Sequence, residues 1–169
     1  MSAIASAPAM AAVNTSKVEG RRELHFATLD EMLAEAERLA AARNVKVLGN
    51  WTLGQALGHL AAAMDMAVDG SSIRPPLFIR LMGPLFKKQV LKKMRPGYSL
   101  PPDAAKNLVP PPSISTEEGL KKFRTAAARL KASPDRAPSP FLGRLTQRES
   151  DRLQLSHAEL HLSFFIPSE

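Results

Sequence analysis

Four times along the chain a Ser or Thr is followed three residues later by Glu or Gln, just ahead of apolar residues at helical spacing. The pairs are Thr28/Glu31, Thr52/Gln55, Ser115/Glu118 and Thr146/Glu149. Such a pair satisfies N–H groups that the first turn of a helix leaves without partners, so it marks a helix start by hydrogen-bond chemistry rather than by propensity alone. The four starts predict helices over roughly 29–43, 53–69, 116–132 and 147–165. In the first, Leu29, Met32, Leu33, Ala36, Leu39 and Ala40 fall on one face. In the second, Leu53, Ala56, Leu57, Leu60, Ala63, Met64 and Ala67 do so, with Trp51 placed to staple onto Ala56 and Gly70 as a stop. Leu120, Phe123, Ala127 and Leu130 form the stripe of the third, and Pro167 closes the fourth.

Between the second and third of these lies a different kind of sequence. A further helix follows Pro75 and Pro76, is expected to break or kink at Gly83-Pro84, and ends near Pro96. After it comes "PGYSLPPDAAKNLVPPPS", whose six prolines favour an extended strap. The expected fold is therefore all-α: a four-helix bundle with a basic helix and a proline-rich strap inserted between bundle helices two and three. "RRELHF" alternates weakly, but one short run makes no sheet.

At 169 residues, with only 5% aromatic residues, the chain suits one domain cored by Leu, Ala, Met and Val, expected over 14–169. The opening "MSAIASAPAMAAV" has neither a basic start nor a strong apolar centre, so residues 1–13 are expected to be a disordered tail. No run approaches the ~18 apolar residues of a membrane span, and a cytoplasmic location is expected. The chain has no cysteine, which excludes disulfides, thiolate ligands and a cysteine nucleophile.

The net charge of +7 is local. Residues 70–102 contain no acid but hold Arg74, Arg80, Lys87, Lys88, Lys92, Lys93 and Arg95; the remainder is balanced, 16 basic against 16 acidic residues. Such a strip suits an anionic contact. The apolar side of its helix is expected to cover the bundle, as amphipathic surface helices generally do, with contact to an acidic membrane surface as the second reading. No nucleic-acid motif accompanies it, so no nucleic-acid partner is expected.

"LSHAELHLSFF" holds two of the four histidines, His157 and His161, one helical turn apart. Leu153, His157, Leu160, His161 and Phe164 share a sector of roughly 100° that is expected to face the bundle interior. Imidazoles at this spacing can grip one ion. His59 borders the apolar stripe of the second helix, so three neutral nitrogen ligands can converge if the two helices are neighbours. His25 lies in the possible extended run and is expected to be exposed. The zincin pattern is absent, because Ala158 stands where Glu would follow the first His, and Glu159 is expected in solvent, roughly 160–200° from the histidines. No histidine has Glu three residues before it, which removes the di-iron bundle pattern. No G-x-S-x-G elbow supports a serine triad. Gln55 and Gln154 are within reach of the histidines, with capping and surface exposure as their ordinary roles.

"NWTLGQALGHLA", followed far downstream by "HAELHLSFF", resembles the DinB-like (DinB/YfiT) metalloenzyme superfamily, and "GNW", "FLGRLT" and "HLSFFIP" resemble an uncharacterised branch of it, the DUF1569 type. The resemblance covers nearly all of the chain after Val13. It implies a four-helix bundle with a long second-to-third connection, and a His triad holding a divalent metal, zinc or nickel. His59 matches the helix-two ligand, and His157 and His161 match the helix-four pair. Members with assigned activity include transferases and isomerases that use small cellular thiols. Two departures stand at its rim: Ser150 where a tryptophan is expected and Ser139 where a histidine is expected.

Two functions follow. One is a metal-dependent enzyme, a thiol transferase or a hydrolase, acting on a small molecule with a low-molecular-weight thiol as partner. The other is a non-catalytic helical protein that meets an anionic surface through its basic helix. The sequence leaves the oligomeric state open, a dimer included.

Overall fold

A computed structural model describes residues 12–97 and 108–168. The first eleven residues of the expected tail, and most of the expected proline-rich strap, lie outside the described residues. The described chain is mostly helical. A single 3₁₀ turn, Thr15–Lys17, precedes α1 (Leu29–Ala41), β1 (Val45–Val47), α2 (Leu53–Asp69), α3 (Leu77–Lys92), α4 (Thr116–Ala132), α5 (Gln147–Leu162) and β2 (Phe165–Pro167).

All four capping positions are occupied as the sequence predicts. Thr28, Thr52, Ser115 and Thr146 each accept a hydrogen bond from the backbone N–H three residues on. At Thr52/Gln55 and Thr146/Glu149 the return bond is also made, completing the capping box.

The most extensive helix pairing is α2 with α4; α1 also packs on α4 and α5, α2 on α5, and α3 on α5. Backbones come close where α2 meets α4. A Cβ on Gly119 would lie 2.5 Å from the Gly54 carbonyl oxygen, and one on Gly54 would lie 2.5 Å from the Ile114 carbonyl oxygen. Around this crossing Leu57, Leu60, Met64, Phe123 and Leu130 are fully or almost fully buried, each such side chain contributing about 2 kcal/mol of apolar burial. Met32, Ala36 and Leu39 of α1 and Leu155, Ala158 and Leu162 of α5 close the same core.

Several expectations need correcting. The last helix ends at Leu162 rather than Phe165, because Phe165–Pro167 pairs antiparallel with Val45–Val47 in the register Val47↔Phe165. The weakly alternating "RRELHF" contributes to no strand, in keeping with the expectation that one short run makes no sheet. Helix α3 runs through Pro84 without a break and ends at Lys92, before the expected Pro96. Most of its apolar side chains do not cover the other helices: no residue of α3 is buried, and Leu77, Phe78, Leu81 and Leu85 are exposed. No helix among the described residues is long and apolar enough to cross a membrane.

Candidate metal centre

Helix α2 carries His59 into the interior, where it is buried among Ala56, Leu57, Leu60 and Ala63. Its Nδ1 lies 2.7 Å from the Leu108 carbonyl oxygen. A carbonyl only accepts, so Nδ1 carries the proton and neutral His59 presents a bare Nε2 on its other side. The segment holding Leu108 is itself tied to α2, because Gln55 Nε2 donates to the Pro110 carbonyl at 3.1 Å. Gln55 thus has two structural duties, capping box and strut, with both ends of its amide occupied.

His59 Nε2 stands 3.1 Å from His157 Nε2. Two bare imidazole nitrogens repel at that distance, so a proton or a cation belongs between them. His161 completes the group: its ring centroid is 4.8 Å from that of His59 and 4.8 Å from that of His157. One nitrogen from each of the three falls within 4.8 Å of the others, and no carboxylate joins them among the described residues. Two nitrogens each at ~2.05 Å from a tetrahedral ion sit roughly 3.3 Å apart. The 3.1 Å pair is near that value, and the soft final torsion of an imidazole can bring in a wider third ligand.

The pair on α5 does not lie on that helix's most buried face. Leu155, Ala158 and Leu162 form that face, and His157 and His161 sit roughly a third of a turn round from it, each partly exposed. On the histidine side they continue a polar stripe with Ser150 and Gln154, both buried. Among the described residues the Gln154 Oε1 is buried without a hydrogen-bond partner.

Dense packing disfavours charge on all three rings. Burial lowers His59, partly offset by its Leu108 bond. Burial pushes His157 well below the usual imidazole range, helped by His161 and His59. Burial, with His59 beside it, pushes His161 down to about 3. Three neutral imidazoles with available lone pairs are what an ion requires.

Trp51 forms a wall that sequence reasoning assigned only to a helix staple. Its ring stacks on His161, with centroids 5.1 Å apart and planes 4° from parallel, and meets His59 edge-on at 4.8 Å. The small sheet places it there: beyond the Val47↔Phe165 pair, Leu48 N–H donates to the Phe164 carbonyl at 2.9 Å, which carries residues 48–51 along the end of α5.

Glu159 is not in solvent. It is buried, accepting from the Phe26 N–H at 2.8 Å and from Arg152 Nη2 at 2.5 Å. That occupation fastens residues 22–26 over α5 and keeps this carboxylate out of the histidine group. His25 is exposed as expected, its side chain 80% accessible, with Nδ1 3.5 Å from Glu159. Two surface cavities, about 620 Å³ beside Gly58 and Pro110 and about 510 Å³ beside Arg21 and Lys93, are lined by none of the three clustered histidines.

Residues 18–168 match the family described as a protein of unknown function, DUF1569. The chain belongs to the DUF1569 family. The match takes in every element from α1 to β2, and with them the three histidines and Trp51. Neither the curated proteins nor the solved structures compared with this DUF1569 chain gave a match.

Proposed function

We propose that His59, His157 and His161 hold one divalent metal ion, zinc or nickel, in a site that activates a small thiol. We further propose that α1, α2, α4 and α5 form a DinB-like four-helix bundle, with α3 and the proline-rich segment inserted between its second and third members. The observation that carries the metal reading is the convergence of three imidazole nitrogens within 4.8 Å, one of them fixed in its tautomer by Leu108.

Three protein ligands are the number that leaves a position open, as catalytic rather than structural zinc sites do. An all-nitrogen set suits zinc and nickel over magnesium or calcium, which take oxygen. When bound, such an ion supplies Lewis acidity that lowers the pKa of a thiol or water filling its open position.

The chain's own residues do the rest. Leu108 holds His59 in the ligating tautomer. Trp51 keeps the His161 ring in plane and excludes water from one side. Gln154 Oε1 offers an acceptor to a donor group on the substrate. A thiol fits this surrounding better than water. With an ordinary pKa of ~8.5 it needs only a small shift to ionise near neutrality, and among the described residues no carboxylate stands in the cluster to take a proton from water.

The test is cobalt-substituted protein titrated with low-molecular-weight thiols. A soft thiolate entering the open position gives a sulfur-to-metal charge-transfer band. No spectral change across a panel of cellular thiols would remove the thiol reading while leaving metal binding to be judged separately.

A further inference from the structure

Helix α3 presents its apolar residues to solvent. Leu77, Phe78, Leu81, Leu85 and Phe86 are 51–73% exposed, and they make up most of the large exposed apolar side chains among the described residues. Single exposed apolar residues are ordinary, whereas a contiguous set on one helix marks a contact surface.

The opposite side of α3 is fixed to the protein. A Cβ at Gly83 would fall onto the Phe141 carbonyl oxygen. The Val90 carbonyl accepts from Ser156 Oγ at 3.1 Å, and the Leu91 carbonyl accepts from Arg152 Nε at 3.0 Å. Leu77, Phe78, Leu81 and Leu85 lie roughly 130–170° round the helix from Gly83 and Val90. The bare sector therefore points away from the protein.

Chemistry along that sector changes with position. Leu77, Phe78, Leu81 and Leu85 supply its apolar half. Lys88 and Lys92 lie on the same sector in the other half, and both are exposed. Of the seven cations between Arg74 and Arg95, only Lys87 has an acidic partner among the described residues, Glu149 at 2.8 Å. The patch is thus a convex strip, apolar at one end and cationic at the other.

A second copy of the chain suits it poorly. Parallel pairing would set Lys88 and Lys92 against their counterparts, and antiparallel pairing would set them against Leu81 and Leu77. An anionic bilayer surface takes both halves at once: apolar side chains enter the headgroup–acyl boundary and the lysines stay among the phosphates. It also requires no shape complementarity from a convex helix. We propose that α3 is an interfacial helix that docks this protein on anionic phospholipid, independently of what the histidines bind.

The experiment is co-sedimentation of the full chain with phosphatidylcholine vesicles, with and without about one-third phosphatidylglycerol, at low and at physiological salt. Binding is expected to the anionic vesicles only, and to weaken as salt rises to about 0.15 M, where the screening length is ~8 Å. Lys88→Gln with Lys92→Gln should weaken it roughly twenty-five-fold, about five-fold per cation. Leu81→Gln with Leu85→Gln should weaken it about ten-fold or more at low salt. Unchanged far-UV circular dichroism will show that both variants fold, as these exposed positions predict. The proposal is overturned if the parent ignores anionic vesicles at low salt, or if the leucine variant binds as the parent does. It is equally overturned if sedimentation velocity shows a dimer that the leucine variant dissolves, which would make the strip a self-interface.

Discussion

His59 and His157 stand 98 positions apart in sequence, yet their Nε2 atoms lie 3.1 Å from each other. The packing of α2, α4 and α5 brings them together, and the sheet formed by β1 and β2 adds Trp51 beside them.

The α2–α4 crossing depends on two glycines. Gly→Ala inside a helix ordinarily stabilises by about 1 kcal/mol. At Gly119 the added Cβ would sit 2.5 Å from the Gly54 carbonyl oxygen and 2.9 Å from its Cα. Both are backbone atoms that cannot swing aside, so Gly119→Ala should destabilise, by about 1–3 kcal/mol. Urea denaturation measures it, and a gain in stability would show that the helices are not in such close contact.

Acid should weaken the metal-free protein. An unfolded imidazole takes its proton near pH 6.5, whereas His161 in the fold is held down to about 3 and His157 is also well below its usual value. Between these limits the unfolded chain binds more protons, so stability falls with pH. The contribution is complete above about 6.5 and is lost progressively toward pH 3. At pH 5, His161 alone costs up to about 2 kcal/mol relative to neutral pH. Thermal melts of chelator-treated protein from pH 7 to 4 should show the decline, with a flatter profile when His157 and His161 are both changed to Gln. Equal slopes in parent and variant would place the titrating groups elsewhere.

Trp51 is the chain's one tryptophan, and it stacks on His161 with ring centroids 5.1 Å apart. Its fluorescence should therefore report on the cluster. Nickel or cobalt added to metal-free protein should quench it in a saturable way, and His161→Ala should abolish the saturable component. Quenching that survives this substitution would mean that the ion binds at another place.

Helix starts were legible because capping is local: Thr28, Thr52, Ser115 and Thr146 each announce themselves within four residues. The histidine convergence was legible as a possibility, since i,i+4 spacing and an apolar neighbourhood are also local. What was not legible arises from tertiary contact. Three-residue strands have too few positions to show alternation, so β1 and β2 left no signal. Glu159 looked solvent-facing on the helix wheel, but residues 22–26 fold over that side of α5 and Arg152 pairs with it. The helix wheel placed the histidines on the innermost face of α5, whereas Leu155, Ala158 and Leu162 occupy it. In α3 the sequence gives amphipathic composition without saying which side meets the protein; Gly83 against Phe141 decides that.

The most direct measurement is the metal content of untagged protein and of four single variants, since a polyhistidine tag would itself bind the ion. Ligation by three histidines predicts about one divalent ion per chain in the parent and in His25→Ala, and its loss in His59→Ala, His157→Ala and His161→Ala, because two imidazoles hold an ion far more weakly than three. A parent that binds no divalent ion, or single variants that each keep a full complement, would contradict it.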